Sequence, residues 1–285
     1  SIQGIIIPPS HNLVIYAVTA GGVSVAALYM GGYLSGILLG LCLAVYCFFV
    51  AKKRHYPRAE KFTIKNFLRA LWLALPALGA MLVVVGSVLL GWMTATEAAA
   101  AACIYTFIFT FVVEKAGTVK DIYVAFSRTI RTIGSVLILA ACATAFSWVI
   151  TYLRIPQMVT AGLFAITSNK YVMLLIINVI LLIMGCFMNM VSIVYIMTPI
   201  LLPIVTSFGM HPVTFGIMMI MNLGIGLLTP PVGQVLFVGS SISGLSVERL
   251  TKALLPQMAF MIIALILITL IPGVTMWLPT ILGYI

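Results

Sequence analysis

The sequence contains very little charge for its length. Only 7% of its 285 residues are Asp, Glu, Lys or Arg, and 63% are hydrophobic. Soluble domains carry about 25% charged residues, so this composition excludes them. Charged residues are absent from 171–247, which is far longer than the ~20 residues that one helix needs to cross a bilayer. The chain is therefore predicted to be an all-α polytopic membrane protein.

Acidic residues are especially scarce, with five of them against fifteen basic residues, which gives a formal net charge of +10. Seven of the basic residues lie within 52–69, between two apolar segments. Lys and Arg accumulate in cytoplasmic loops, so this segment is predicted to face the cytoplasm. No module of interleaved basic and aromatic residues accompanies the cluster, and nucleic-acid binding is therefore not expected.

Catalytic and metal-binding motifs are missing as well. The five cysteines lie in apolar segments without a Cys-x-x-Cys pair, so neither a disulfide framework nor a transition-metal site is expected. The sequence has no His-Glu-x-x-His and no nucleotide-binding loop, and 239–244 lacks the spacing of a serine nucleophile elbow. We therefore predict no enzymatic activity and no organic cofactor. Uphill transport would need an ion gradient or a partner.

What the sequence does contain is a pair of similar segments, 4–15 and 226–237. Each places a Pro-Pro pair, Pro8-Pro9 or Pro230-Pro231, between two apolar runs. Proline removes a backbone donor and disrupts the preceding turn, so both helices are predicted to be interrupted. Inside a bilayer the freed carbonyl groups need a cation, water or a side chain. Paired broken helices indicate the binding site of a transporter, although structural kinks are the alternative.

The residues around the two breaks suit a cation and an anion together. Sodium prefers carbonyl and hydroxyl oxygens, while half-helix N-termini near Ser10 and Val232 favour a carboxylate. Polar residues in the apolar segments would complete a cation shell, contact substrate, or only hydrogen-bond between helices. The candidate sodium ligands are Gly4, Ile7, Ser10, Asn189, Asn222, Gly226, Thr229 and Gly233, and the candidate substrate contacts are Ser10, Asn12, Ser192, Val232 and Gly233.

Hydropathy and charge also predict the membrane spans. With 52–69 in the cytoplasm, counting spans in both directions makes the chain cross the two Pro-Pro motifs in opposite directions, as in an inverted-topology repeat. Only three residues precede the first motif, whereas a long apolar segment precedes the second, so we expect ~100 further residues before the first. The predicted spans are 12–30, 33–51, 71–92, 96–113, 132–153, 171–190, 191–208 and 256–281, with half-length pieces at 213–228 and 232–245; the pair 171–190 and 191–208 is either two full spans or a re-entrant hairpin.

Three charged segments, 61–72, 118–131 and 246–255, each lead into an apolar span. They are predicted to be interfacial amphipathic helices that brace a moving unit, or else ordinary cytoplasmic loops. Within the second, Thr118 and Asp121 resemble a capping box, and Ser246 is a plausible N-cap in the third.

Two further local patterns have structural interpretations. Glu97 follows Thr94-Ala95-Thr96 and is predicted to cap a helix near a membrane surface. Gly32, Gly36 and Gly40 form a stripe that allows close helix approach. This stripe serves internal packing or, as the alternative, the docking of another subunit.

Five stretches of the sequence resemble the large membrane subunit of tripartite ATP-independent periplasmic (TRAP) transporters. The most specific is Asn-Leu-Gly-Ile-Gly-Leu-Leu-Thr-Pro-Pro-Val-Gly, which begins at Asn222. Asn189 departs from the family pattern, in which an Asp often follows the Phe-Met pair, so no acid acts at that position. The stretches lie at 4–16, 94–100, 185–189, 198–203 and 222–237, in the order of the family and over the whole chain.

This resemblance implies a sodium-coupled transporter of the elevator type, in which a transport domain moves against a scaffold. Its partners would be a periplasmic substrate-binding protein, a small membrane (Q) subunit, separate or fused, and the lipid bilayer. Substrates in the family are mostly organic acids, and the first motif is similar to that of sialic-acid members. We expect the protein to import a carboxylate across a bacterial inner membrane, and a sialic acid is the first candidate. Another carboxylate or sugar acid, a channel and an intramembrane hydrolase are the alternatives.

On this interpretation the chain divides into four parts. Residues 1–30 form the first broken-helix element of the transport domain, and 31–131 form scaffold helices with a cytoplasmic amphipathic arm. Residues 132–245 form the second repeat with its hairpin and broken helix. Residues 246–285 form an amphipathic arm and a C-terminal span.

Overall fold

A computed structural model describes residues 2–54, 63–167 and 169–285. Within these ranges the regular structure is entirely helical, as predicted, with thirteen α-helices and one π-helical turn at Phe109–Val113. The helices are α1 (Gln3–Ile6), α2 (His11–Thr19), α3 (Val25–Arg54), α4 (Ile64–Leu89), α5 (Ala95–Ile108), α6 (Val119–Tyr152), α7 (Ile155–Ile166), α8 (Lys170–Phe187), α9 (Met190–Ser207), α10 (Pro212–Gly226), α11 (Gln234–Ser243), α12 (Val247–Leu270) and α13 (Gly273–Ile281).

Among the described residues, seven helices are long and apolar enough to cross a membrane: α3, α4, α5 with the π-helical turn, α6, α8, α9 and α12. The apolar helices α10 and α11 are shorter, with 15 and 10 residues. At 1.5 Å per residue they would extend about 22 Å and about 15 Å, less than the ~30 Å hydrocarbon core. The predicted polytopic architecture is therefore confirmed.

The predicted division into spans 12–30 and 33–51 is wrong. The chain instead forms the short helix α2, turns at Gly21 and Gly22, and continues as the single 30-residue helix α3. Gly21 and Gly22 have φ of 83° and 94°, a conformation that ends a right-handed helix. Gly31 and Gly32, where the sequence suggested a boundary, lie inside α3 and serve packing.

The predicted span 256–281 is also wrong, because α12 ends at Leu270 and α13 begins at Gly273. Pro272 lacks a backbone donor, and the residue before it, Ile271, adopts a non-helical conformation with φ −117° and ψ 87°. Pro256 does not interrupt α12, which is continuous from Val247 onward.

The three charged segments do not form separate interfacial helices. Each continues directly into the apolar helix that follows it: the described part of 61–72 into α4, 118–131 into α6, and 246–255 into α12. No helix-ending residue separates the charged residues of a segment from its apolar span. Residues 61 and 62 of the first segment, together with Arg58 in the basic cluster, lie outside the described residues.

The predicted helix caps are present. Thr94 and Glu97 form a reciprocal capping box at the start of α5, in which the Glu97 carboxylate accepts from the Thr94 N–H at 2.7 Å. The Asp121 carboxylate accepts from the Thr118 N–H at 2.9 Å. The Ser246 hydroxyl accepts from the Arg249 N–H at 3.5 Å at the start of α12. The structural interpretation of Glu97 is therefore confirmed.

Internal contacts divide the chain into two units, Ser1–Val50 with Leu139–Ile285, and Ala51–Ile138. The first unit is built around α10, in which every residue from Val213 to Gly226 is buried. A helix that is apolar on all sides requires neighbours on all sides. Those neighbours are α1, α2, α8, α9, α12 and α13, together with α3, whose Gly31 lies against Ile217 and Val213.

The glycine stripe of α3 packs against α1 within this unit. An added Cβ at Gly32 would lie 2.7 Å from the carbonyl oxygen of Ile6, and one at Gly36 would lie 2.3 Å from the Ile7 side chain. Gly40 faces the Gln3 side chain in the same way. The stripe therefore serves internal packing, as the first of the two interpretations predicted.

In the second unit, α4 and α5 pack against each other around Pro76. The Tyr105 hydroxyl of α5 donates to the carbonyl of Pro76 in α4 at 3.1 Å, which joins the two helices. Gly79 makes room for the Tyr105 ring, since a Cβ there would lie 2.4 Å from its hydroxyl oxygen.

Candidate transport site at the broken helices

The first break separates α1, which ends at Ile6, from α2, which begins at His11. The Pro8–Pro9 peptide bond is cis. Pro9 has no N–H to donate to the Ile5 carbonyl four residues earlier, and the buried hydroxyl of Ser10 donates to this carbonyl instead. The first break therefore satisfies one freed carbonyl with its own side chain.

The second break separates α10, which ends at Gly226, from α11, which begins at Gln234. The Pro230–Pro231 bond is also cis. The Thr229 hydroxyl donates to the Ile225 carbonyl at 2.9 Å. The carbonyl oxygens of Leu228 and Thr229 accept no hydrogen bond from any described residue. These two oxygens are therefore available to a cation.

A second helix end meets this break. An added Cβ at Gly226 would lie 2.7 Å from the Cα of Gly185, so the two backbones touch. Gly185 belongs to the last turn of α8, whose last residue is Phe187. The next residue of α8, Cys186, is buried, and its thiol donates to the Leu182 carbonyl at 3.1 Å. Helix C-termini carry partial negative charge, so two of them meeting here favour a cation.

The first broken helix runs antiparallel to α10. Ile2 packs against Gly224, whereas Tyr16 packs against Gly216, eight residues earlier in α10. The Tyr16 hydroxyl donates to the carbonyl of Pro212, the first residue of α10, at 2.7 Å. The chain therefore passes through its two Pro-Pro breaks in opposite directions, on neighbouring helices.

A buried amide pair lies one helical turn before the second break. The Asn222 Nδ2 donates to the Oδ1 of Asn178 at 2.7 Å and to its backbone carbonyl at 2.9 Å. The Asn178 Nδ2 donates to the Thr269 hydroxyl at 3.1 Å, which links α8, α10 and α12. The Asn222 Oδ1 is buried without a partner among the described residues. The Asn222 amide is therefore committed largely to joining helices.

The candidate residues fall into three places. Gly4, Ile7, Ser10 and Asn12 surround the first break, and Gly226, Thr229, Val232 and Gly233 surround the second. Asn222 lies just before the second break. Asn189 and Ser192 lie at the link between α8 and α9. The Asn189 side chain is exposed and caps α9 by accepting from the Val191 N–H at 2.9 Å.

The candidate residues within each group also differ in how exposed they are. Gly4 is exposed, with nothing within 4 Å of an added Cβ, whereas Ser10 and Asn12 are buried. Val232 is 38% exposed, and the next residue, Gly233, has φ 47° and precedes α11 as its N-cap. The second half-helix therefore begins at Gln234, two residues after the predicted start near Val232.

Ser192 lines a cavity of about 310 Å³ in the first unit. The remaining lining residues are Leu139, Cys142, Ala143 and Phe146 of α6 and Tyr195 and Ile196 of α9. Among the described residues, neither the Ser192 nor the Tyr195 hydroxyl has a hydrogen-bond partner.

Sequence reasoning did not select Gly185, Cys186, Asn178 or Tyr195 as site residues. Gly185 and Cys186 lie in one of the family-like stretches, which was a usable signal. Asn178 and Tyr195 each follow apolar neighbours, and their roles depend on helices far along the chain.

Residues 1–274 match the family model described as "Tripartite ATP-independent periplasmic transporter, DctM component". The chain is 39% identical to the Salmonella typhimurium protein YgiK, whose name calls it uncharacterized, over 97% of this chain and 63% of that protein. It is 38% identical to an isethionate TRAP transporter permease of Oleidesulfovibrio alaskensis over 96% of this chain and 43% of that protein. It is 34% identical to the sialic acid TRAP transporter large permease of Vibrio cholerae over 99% of this chain. The chain spans 66% of this last relative's length, and less of the other two.

Proposed function

Since the chain belongs to the DctM component family of tripartite ATP-independent periplasmic transporters, we propose that it imports an organic acid by sodium coupling. It is a multi-pass protein of the bacterial inner membrane, and its family consists of transporter permeases and not of enzymes. The coupling ion, the transported acid and the partner proteins do not follow from family membership alone. A separate argument supports each of them.

The observation that carries sodium coupling is the meeting of two helix ends at the second break. Gly226 ends α10 and touches Gly185 in the last turn of α8. The Leu228 and Thr229 carbonyl oxygens next to this contact have no donor among the described residues. Sodium is the coupling ion that fits, because it is a hard cation that takes carbonyl oxygens without needing a carboxylate. Gly226 and Thr229 therefore remain candidate sodium ligands, and Gly185 is added to them.

The opposite traversal of the two breaks supports an inverted repeat. The first broken helix, α1 with α2, lies antiparallel against α10 of the second. In transporters with inverted repeats, substrate and ion sites lie where the repeats meet. We propose that this packed body, which contains both breaks, is the part that moves in an elevator mechanism.

For the substrate, the common feature is an acidic group. One relative is named for isethionate, a sulfonate, and another for sialic acid, a carboxylate. Both are organic anions, which fits half-helix N-termini at Ser10 and Gly233. A sialic acid is the candidate that the first motif indicates. A periplasmic binding protein would deliver the acid, and a small Q subunit, separate or fused, would complete the permease.

The test is uptake of radiolabelled acids into vesicles that contain the full-length permease complex, with its binding protein added outside. N-acetylneuraminate, isethionate and succinate are compared with and without an inward sodium gradient. We expect uptake of at least one acid to require both sodium and binding protein. Uptake that needs neither would indicate a channel, and loss of the added compound by hydrolysis would indicate an intramembrane enzyme; either result contradicts the proposal.

A further inference from the structure

The π-helical turn at the end of α5 belongs to the second unit, which contains neither Pro-Pro break. Here the Glu114 N–H donates to the carbonyl of Phe109, five residues earlier, at 2.9 Å. An α-helix would pair that N–H with the carbonyl of Thr110 instead. Widened turns of this kind are rare and occur frequently at functional sites. The turn therefore calls for a role that sodium and acid binding do not supply.

A groove of about 240 Å³ lies between α4 and the end of α5 that carries this turn. On the α5 side its lining extends from Tyr105 to Glu114, which is about 13 Å at ~1.5 Å per residue. On the α4 side it is lined by Pro76, Ala77 and Ala80, among others. The groove is therefore elongated, with small apolar side chains along one wall and a carboxylate at one end.

Glu114 is the charged side chain that lines this groove. It is exposed, and no cation pairs with it among the described residues. The hydroxyls in the wall already donate elsewhere, Tyr105 to the Pro76 carbonyl at 3.1 Å and Thr106 to the Ala102 carbonyl at 2.8 Å. An ionised carboxylate only accepts hydrogen bonds, and it bonds most strongly to a cationic donor. The groove is therefore suited to a ligand with a positively charged N–H group.

Two aromatic rings in the groove favour the same kind of ligand. Tyr105 and Phe109 are stacked, with ring centroids 6.3 Å apart and an interplanar angle of 12°, and both line the groove. Aromatic faces attract ammonium groups. Residues five apart do not share a face of an α-helix, but the π-helical turn lets Phe109 and Glu114 line one groove. The turn therefore places a ring and a carboxylate beside the same ligand.

The position of the groove relative to the bilayer indicates which ammonium compound it takes. The helix Ala95–Val113 is long and apolar enough to cross a membrane, and Glu114 follows its last residue. The carboxylate thus lies at the membrane surface, while the groove continues toward Tyr105 into the hydrocarbon region. Lys115, the next residue, is exposed. A membrane lipid has the matching order of groups: an ammonium, a phosphate and then an apolar chain.

We infer that this groove binds a phospholipid with a primary ammonium headgroup, phosphatidylethanolamine, whose ammonium donates to Glu114 and whose phosphate lies beside Lys115. Basic residues near a membrane surface attract anionic lipids in general, but the carboxylate at this groove repels an anionic headgroup. Phosphatidylcholine carries a quaternary ammonium, which has no N–H to donate. The inference goes beyond the proposed transport function and does not depend on which acid is carried.

The test is native mass spectrometry of the purified full-length permease complex. Bound lipid is counted while phosphatidylethanolamine, phosphatidylcholine or phosphatidylglycerol with identical acyl chains is titrated. Glu114→Gln removes the charge and keeps the shape of the side chain. Its matched control is Glu97→Gln at the other end of α5, where the capping box also accepts Gln. Ala77→Phe fills the groove without changing its charge.

We expect phosphatidylethanolamine to half-saturate the wild-type complex at a concentration roughly tenfold lower than the other two lipids, as for a hydrogen bond to a charged group. Glu114→Gln should abolish this preference by weakening phosphatidylethanolamine binding, whereas Glu97→Gln should retain it. Ala77→Phe should weaken binding of all three lipids. Phosphatidylethanolamine should also raise the unfolding temperature of the wild type and of Glu97→Gln more than that of Glu114→Gln.

Equal half-saturation of the wild type by the three lipids would overturn the inference, and so would an unchanged preference in Glu114→Gln. If Glu114→Gln instead releases the small membrane subunit and keeps the lipid preference, the carboxylate pairs with a protein partner and the lipid site is rejected. Uptake measured on the same preparation separates the two proposals. Sodium-dependent uptake without a lipid preference rejects the groove alone, whereas a lipid preference without uptake of any acid supports the groove and rejects the transport function.

Discussion

The two Pro-Pro breaks share a sequence pattern but differ in what surrounds them. The first is short, with α1 ending at Ile6 and α2 beginning at His11, and the Ser10 hydroxyl satisfies the Ile5 carbonyl. The second extends from Gly226 to Gln234 and leaves two carbonyl oxygens without donors from described residues. The first break also leaves carbonyl oxygens without such donors, those of Ile6 and Ile7, so both breaks combine a carbonyl satisfied by a nearby hydroxyl with others that are not.

The contrast extends to the glycine at the start of each motif. Gly4 has open space around an added Cβ, whereas Gly226 is in backbone contact with Gly185. The first break is thus packed by the helix α3, through Gly32, and the second by the end of another helix. The neighbouring helix end is what distinguishes the second break, and we propose on that ground that it is the ion-binding element.

The largest expected effect comes from Gly226→Ala. Its Cβ would lie 2.7 Å from the Cα and 2.8 Å from the carbonyl carbon of Gly185, and backbone cannot move aside as a flexible side chain can. Overpacking of this kind costs about 1–3 kcal/mol, so sodium-dependent uptake should fall by roughly tenfold or more. Gly4→Ala is the matched control, and it should retain uptake at equal protein abundance. Equal uptake by the two variants would remove the distinction between the breaks.

Next in size is the loss of the buried amide pair. Asn222→Leu leaves the Asn178 side chain with an unsatisfied acceptor and should lower the free energy of unfolding by about 1–3 kcal/mol. Thermal unfolding of the purified complex measures this. The double variant Asn178→Leu with Asn222→Leu should lose less than the sum of the single losses, because the pair acts as one unit. Additive losses would show that the two amides are independent.

A smaller, more selective effect is expected from the two hydroxyls. Thr229→Val removes a hydroxyl beside the free carbonyl oxygens and should raise the half-saturating sodium concentration by roughly three- to tenfold. Ser10→Ala removes the donor to the Ile5 carbonyl and should cost stability, about 1 kcal/mol, without changing sodium affinity. The comparison fails if Ser10→Ala shifts sodium affinity as much as Thr229→Val does.

The smallest expected effect is a pH dependence at the start of α10, the helix that leads into the second break. The His211 Nδ1 accepts from the Val213 N–H at 3.2 Å, and burial lowers the pKa of His211 below 6.5. Protonation removes this acceptor and places positive charge at a helix N-terminus. A lowered pKa in the folded state means that the cap contributes above pH 6.5 and is lost as the pH falls through the folded-state pKa.

Thermal unfolding between about pH 7.5 and about pH 5 checks this prediction. His211→Asn keeps a capping acceptor that does not titrate, so the part of the loss that comes from this cap, about 1 kcal/mol or less, should disappear. An identical pH profile for the variant would show that the cap does not titrate in this range.

Local features were predictable from the sequence where neighbours along the chain determine them. Glu97 bonds to Thr94 and Ser246 to Arg249, each three residues away, and both caps form as expected. The N-cap role of Asn189 belongs to the same class and could have been recognised from its position before an apolar helix. Pro272 could likewise have been recognised from the sequence as the end of a helix.

Features that depend on distant segments were not predictable. Gly21-Gly22 ends a helix while Gly31-Gly32 packs inside one, because only the second pair meets α13, α10 and α1. Asn178 and Asn222 are 44 residues apart, and no local pattern indicates that they bond. The cavity at Ser192 depends on α6 lying beside α9, which span counting cannot show.

The bond from Tyr16 to the Pro212 carbonyl also has a consequence for the order of synthesis. The two residues are 196 positions apart, so the first broken helix is made long before the helix that it packs against. At about 5–20 residues per second, its partner emerges roughly 10–40 seconds later. During that interval the first broken helix can pack against α3, through Gly32 and Gly36, but not yet against α10. The packing of the first motif is therefore completed only after α10 has been translated.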